Sequence, residues 1–136
     1  MIDHERMADL LKALGHPVRV QILEVLLAEG ESCVCHLEAA LGQRQAYVSQ
    51  QLAVLRSAGL VVDRRDGLNI YYAPGVKGID DLMAETRALA RSVATAAGEK
   101  WEVADGWPPT PDDCPCPRCV NSDAKASAQA ARAAGG

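Results

Sequence analysis

The sequence predicts a mainly α-helical fold in which one β-hairpin follows directly on a helix-turn-helix. Three observations predict it. Apolar residues recur at helical spacing along five separate segments, a one-glycine break at Gly42 separates two of them, and two short runs rich in Val, Ile and Tyr flank the dipeptide Asp66-Gly67. The chain has 136 residues, enough for one domain with a hydrophobic core plus tails. It is 49% hydrophobic but has no Phe and only 4% aromatic residues, so the core must be built from Leu, Val, Ile and Ala, a composition that suits helices.

The first helix is expected from about Asp3 to Leu14, with Met7, Leu10, Leu11 and Leu14 on one face and Gly15 as its stop. Pro17 opens the second, which runs to about Ala28; Val18, Ile22, Val25 and Leu26 repeat at helical spacing while Val20, Leu23 and Leu27 fill in, so it should be buried on most sides. Ser32 is the expected N-cap of a short third helix carrying Val34, Leu37, Ala40 and Leu41, ended by Gly42. A fourth, from about Arg44 to Ala58, places Val48, Leu52 and Leu55 within a narrow arc and stops at Gly59. Two helices joined so tightly form a helix-turn-helix.

Opposite the apolar arc of the fourth helix lie Ala46, Gln50, Ala53 and Ser57, with Tyr47 and Ser49 beside them. That face is small and hydrogen-bonding, as close approach to base edges requires, where an ordinary solvated face would carry more Lys and Glu. The runs Leu60 to Arg65 and Leu68 to Ala73 are expected as strands, with Asp66-Gly67 as a type I′ turn and Pro74-Gly75 as the break. A fifth helix from about Ile79 to Ala97 carries Ile79, Leu82, Met83, Thr86, Leu89, Val93 and Ala97 along one stripe. With the core already made, a second copy of the chain is the simplest partner for it.

Residues 1–98 are accordingly expected as the folded domain and residues 99–136 as a tail. In it, Pro108, Pro109, Pro111, Pro115 and Pro117 exclude regular helix, and the last residues, from Ser122, are Ala-rich and of low complexity. No apolar run approaches the roughly 20 residues of a membrane span. The chain begins with Asp3, His4, Glu5 and Arg6 where a secretory leader would be apolar, so the expected location is the cytoplasm, away from any membrane.

The net charge of −4, taken whole, argues against a polyanionic partner. Locally the balance reverses: between Gln43 and Ala73, Arg44, Arg56, Arg64 and Arg65 face only Asp63 and Asp66. The five cysteines fall into two groups, Cys33 with Cys35 and Cys114 with Cys116 and Cys119. In a cytosolic protein such clusters point to metal or redox chemistry more readily than to a disulfide framework.

The strings Leu14-Gly15-His16-Pro17-Val18-Arg19, Cys33-Val34-Cys35-His36-Leu37 and Val48-Ser49-Gln50-Gln51-Leu52, in this order and spacing, resemble the ArsR/SmtB family of metal-sensing repressors over about Met7 to Ala97. The resemblance implies a winged helix-turn-helix homodimer, not an enzyme, that binds double-stranded operator DNA and releases it when metal binds. It further implies that Arg44 to Ala58 is the recognition helix, Asp63 to Tyr71 the wing, and the first and last helices the dimer interface. The DNA-binding residues would then be Arg44, Ala46, Tyr47, Ser49 and Gln50, with Arg64 and Arg65 from the wing. Cys33-Val34-Cys35 matches the thiolate box of members that respond to arsenite, antimonite, cadmium or lead. The match has departures: no further cysteine follows within the third helix or precedes Cys33, and His36 stands where an acidic residue is usual. The fifth helix has no His, so the family's other common site, for zinc, nickel or cobalt, looks absent.

On a regular helix residues i and i+2 point about 200° apart, so Cys33 and Cys35 can hold one ion only at a helix start. There the positive end of the helix dipole is expected to favour the thiolate. Thiolates select soft ions, and two of them leave such an ion under-coordinated. Both also read as small buried residues, an alternative that the pairing makes less attractive than it is for a lone Cys. Cys114, Cys116 and Cys119, three thiols within six residues, can complete that site, hold a separate ion such as zinc, or form an unstructured thiol-rich tail. His36 is a candidate further ligand, and His16 reads as a loop or core residue. The rival within DNA binding is a thiol redox sensor. A thiol oxidoreductase would want C-x-x-C beside a βαβ unit, and Cys116 to Cys119 lies in the Pro-rich tail without one.

Overall fold

The computed structural model describes residues 3–100. Its helices are α1 (His4–Leu14), α2 (Pro17–Glu29), α3 (Val34–Leu41), α4 (Gln45–Ser57) and α5 (Ile79–Ala96). Its strands are β1 (Ser32–Cys33), β2 (Val61–Asp66) and β3 (Asn69–Pro74). All five expected helices and the hairpin are present, with ends within a residue or two of those expected. Cys114, Cys116, Cys119 and the rest of the expected tail beyond residue 100 lie outside the described residues. No helix among the described residues is long and apolar enough to cross a membrane.

α2 is the centre. Its Ile22, Leu23, Val25 and Leu26 are buried together with Leu37 of α3, Val48, Leu52 and Leu55 of α4, Val61 of β2, and Ile79 and Met83 of α5. Burying each such apolar side chain contributes about 1.5–3 kcal/mol, and with no Phe available the main cluster is largely aliphatic. Pro17 takes the first helical position, where its missing N–H costs nothing, and the His16 Nδ1 accepts the Val18 N–H at 3.2 Å as the N-cap. α3 ends at Gly42, whose φ of 63° lets its N–H donate to the Glu38 carbonyl at 2.8 Å and turns the chain into α4 within three residues.

The sheet holds one strand more than the sequence reading expected. Its order is β1-β3-β2, antiparallel throughout, with Ser32 opposite Tyr72 and Cys33 opposite Tyr71. A two-residue strand is too short to show alternation. Ser32 is therefore not the N-cap of α3, as expected. It lies in β1 with its hydroxyl donating to the Gly30 carbonyl at 2.9 Å, and Cys33 is the N-cap. The hairpin also departs from expectation by one residue. Asp66 pairs with Asn69, so the turn residues are Gly67 and Leu68, and with Gly67 at φ 61° and no non-glycine residue at positive φ the turn is of the II′ class, not I′. Leu68 is left fully exposed at the tip. Behind the wing, Gly75 lies so close to the end of α4 that a Cβ there would meet the Gly59 carbonyl oxygen at 2.9 Å.

α5 lies on the core through Ile79 and Met83, and its Arg87 Nη2 donates to Glu24 Oε1 of α2 at 2.6 Å. Of the expected stripe, Thr86 is exposed and bonds back to the Leu82 carbonyl, while Leu89 and Val93 stand in solvent. Met7, Leu10 and Leu11 of α1 are exposed as well, so both terminal helices carry apolar side chains that this chain's own core does not cover.

Candidate nucleic-acid interface and thiol site

α4 turns Val48, Leu52 and Leu55 into the core and leaves Ala46, Ser49, Gln50, Ala53 and Ser57 exposed, the division its periodicity implied. Arg44 is its exposed N-cap and makes no side-chain capping bond. Tyr47 differs from the others expected at the interface. It is half-buried, its ring tilted against His16 and its hydroxyl 3.3 Å from His16 Nε2, so at most its edge is presented outward. Gln51, which the sequence reading did not single out, faces inward and accepts a hydrogen bond from Arg19 Nη1 at 2.9 Å.

The arginines of α4 and the wing divide into two kinds. Arg56 pairs with Asp63 at 2.9 Å, and Arg64 forks onto Glu31, its Nε to Oε2 at 3.1 Å and its Nη2 to Oε1 at 2.5 Å. The Arg64 guanidinium also stands 5.1 Å over the Tyr71 ring and 3.9 Å from Asp66. The Glu31 hydrogen bond, opposed by some desolvation, pushes its pKa further up, so it stays charged. Arg44 and Arg65 are exposed and enter no ion pair among the described residues. The locally positive stretch is therefore partly neutralised by its own carboxylates and by Glu31, a partner distant in sequence that the local charge count missed.

Of the two cysteines, Cys33 is buried and Cys35 half-buried. Cys33 caps α3: its Sγ accepts the His36 N–H at 3.4 Å at the positive end of the helix dipole, while its burial against Tyr71 works against charge on the sulfur. Cys35 and Ala39 pack against the pair formed by Cys33 and Tyr71, which gathers both thiols around the root of β3. His36, expected as a further ligand, has its Nε2 on the carboxylate of Glu29, and both side chains are largely buried. Among the described residues no group of three or more His, Cys, Asp and Glu side chains is placed to hold a metal ion. Two thiols suit a soft ion chemically but do not complete its coordination.

Known proteins resemble this chain in sequence and in fold. Residues 16–62 match the family model of the bacterial regulatory proteins of the ArsR family. An HTH-type transcriptional regulator of Mycobacterium tuberculosis is 41% identical over 85 residues, which are 62% of this chain and 75% of that protein. The chain belongs to the ArsR family.

The crystal structure of that mycobacterial regulator superposes with a TM-score of 0.62 at 38% identity, covering 69% of this chain and 95% of that one. The homodimeric winged helix-turn-helix domain of a possible ArsR-family regulator from Mycobacterium bovis, solved by NMR, gives a TM-score of 0.59 at 35% identity over 65% of this chain and 81% of that one. An arsenic resistance transcriptional regulator of Pseudomonas putida is 41% identical over 64 residues, 47% of this chain and 56% of its own length. This ArsR-family chain is thus a winged helix-turn-helix transcriptional regulator and not an enzyme, with α3 and α4 as the helix-turn-helix and β2–β3 as the wing.

Proposed function

We propose that the protein represses transcription as a cytoplasmic homodimer, holding operator DNA through α4 and the wing and releasing it when Cys33 and Cys35 take up a thiophilic ion. Arsenite or antimonite, cadmium and lead are the candidate inducers. The observation that carries this reading is the position of Cys33, which begins the first helix of the helix-turn-helix and pairs with Tyr71 in the strand that returns from the wing. An ion that draws the two thiolates together acts on both DNA-reading elements at their common root.

In this reading Gln50, Ser49 and Ala46 meet base edges, Tyr47 lies at the border, and Arg44, Arg64 and Arg65 meet phosphates. Residues 1–98 form the DNA-binding and dimerisation unit, and the further thiolates come from Cys114, Cys116 and Cys119 of the 99–136 tail, which otherwise hold an ion of their own, zinc included. The arsenic resistance regulator among the relatives supports a soft metalloid as inducer. Titrating a panel of these ions against a preformed complex of the protein with its own promoter region tests the proposal: at least one thiophilic ion should release the DNA at concentrations where magnesium and calcium do not.

A second reading is favoured by the half-exposed thiol of Cys35. Peroxide would oxidise a thiolate to sulfenic acid, the sulfur giving two electrons to the O–O bond, which breaks and releases hydroxide. Release of DNA by peroxide alone in metal-free buffer decides for it.

A further inference from the structure

Apolar packing holds α4 in the core through Val48, Leu52 and Leu55, but the hydrophobic effect behind it is not itself directional. Two polar contacts supply direction. Arg19 of α2 spreads its guanidinium over two elements: Nε donates to the Ala13 carbonyl at 2.6 Å and Nη2 to the Lys12 carbonyl at 3.3 Å, in the last turn of α1, while Nη1 donates to Gln51 Oε1 of α4 at 2.9 Å. One turn earlier on α4, the Tyr47 hydroxyl meets His16 Nε2 at 3.3 Å. Because His16 Nδ1 accepts the Val18 N–H, the neutral ring carries its proton on Nε2, and that N–H donates to the Tyr47 oxygen. Tyr47 and Gln51 are four residues apart and lie one above the other on the same face of the helix. Held at both points, α4 is fixed in rotation as well as position.

We infer that Arg19 and His16 are positioning residues that clamp the recognition helix to the end of α1 and thereby set the separation of the two recognition helices in a dimer. The inference rests on the proposed dimeric DNA-binding reading. α1 carries the exposed Met7, Leu10 and Leu11, so a clamp that ties α4 to α1 refers each recognition helix to the dimer axis. Arginine is well suited to such a clamp, because its rigid fork reaches two carbonyls and an amide at once and its charge sits at the negative end of the α1 dipole. The inward Gln51 is held while its neighbour Gln50 faces out, so an error in the clamp passes directly to the residue expected to read bases. Two recognition helices must enter grooves about 34 Å apart, and a small tilt in each spoils the joint fit without spoiling either alone.

The test compares full-length wild type, Arg19→Lys, Gln51→Met and the double variant on duplexes from the protein's own promoter region. In these the half-sites are moved together or apart by a single base pair, and a further duplex carries one half-site only. Wild type should prefer one spacing sharply. Each single variant should flatten that preference and lose on the order of tenfold at the best spacing, the scale of one charge-assisted hydrogen bond, yet bind the single half-site as wild type does. The double variant should be no worse than Arg19→Lys alone, since that change already removes the bond to Gln51. If Arg19→Lys does not fold, Gln51→Met carries the test by itself. Variants that keep the wild-type spacing profile, or that lose single and paired half-sites equally, overturn the clamp. A wild type that binds its promoter region with no spacing preference, or not at all, overturns the dimeric DNA reading and the clamp with it.

Discussion

Cys33 stands directly opposite Tyr71 in the β1–β3 ladder, so the thiol that caps α3 and the ring at the root of the wing are partners in one strand pair. Arg64 of β2 lies over that ring and reaches back to Glu31, next to β1. Thiol, ring, guanidinium and carboxylate thus form one contiguous path from the start of the helix-turn-helix to the wing. A displacement of Cys33 has a route to both.

In the proposed DNA-bound state Glu31 would compete with phosphate for Arg64, which it holds in the free protein. Glu31→Gln should keep a hydrogen bond but give up the charge, freeing the guanidinium. Operator affinity at low salt should rise, and the plot of log K against log salt should steepen by about one ion. The thermal midpoint should barely move, because exposed ion pairs stabilise little. An unchanged salt slope would show that Arg64 takes no part in binding.

Gln50 and Arg65 are both exposed, and the proposed DNA-bound state assigns them different partners, a base edge and a phosphate. Gln50→Ala should cost about 1–3 kcal/mol on the preferred operator and relax sequence preference, as loss of a base-edge contact does. Arg65→Ala should weaken all sequences alike and reduce the salt slope by about one. Titrations on operator and scrambled duplexes at several salt concentrations separate the two.

The helices were legible because each carries an apolar repeat with a glycine or proline at its limits: Pro17 opening α2, Gly42 after α3, Gly59 after α4. What was missed is short or non-local. β1 has two residues and no pattern of its own; it exists because Ser32 and Cys33 lie beside Tyr72 and Tyr71. The same strand moved the N-cap from Ser32 to Cys33. The turn slipped by one residue because Asp66 prefers to pair with Asn69, a choice made by the register of the whole hairpin rather than by the dipeptide Asp66-Gly67. In the candidate site the outward face of α4 followed from periodicity. The neutralising Glu31 and the clamping Arg19 did not, because their partners lie 33 and 32 residues away.

Gly75→Ala should destabilise the fold by about 1–3 kcal/mol, as overpacking against backbone does. The added Cβ would meet the Gly59 carbonyl oxygen at 2.9 Å and the Val61 carbonyl carbon at 3.1 Å, and neither can rotate away. Urea denaturation monitored by circular dichroism measures the shift, which should appear in the midpoint with little change in slope.

Leu89 and Val93 of α5 and Leu11 of α1 are exposed, so replacing them does not empty the core. Wild type should have a dimeric mass by light scattering at micromolar concentration, with or without metal. Leu89→Asp should halve that mass, leave the helical content unchanged and abolish tight operator binding. A monomeric wild type would remove the dimer from the proposal.

Cys33→Ser is a mild change to the fold, since serine is itself a preferred N-cap and can accept the His36 N–H that Cys33 Sγ now accepts. It removes the soft thiolate, and Cys35→Ser does the same from the first turn of α3. To empty an operator the ion must favour the released conformation by several kcal/mol, and thiolate coordination can supply that where a hydroxyl cannot. Each variant should therefore bind DNA as wild type does and fail to release it when arsenite, cadmium or lead is added. Replacing Cys114, Cys116 and Cys119 together sorts the tail: lost release makes these thiols part of the sensing site, and retained release with one fewer bound ion makes them a site of their own. Release of both serine variants at the wild-type ion concentration would place the sensor elsewhere in the chain.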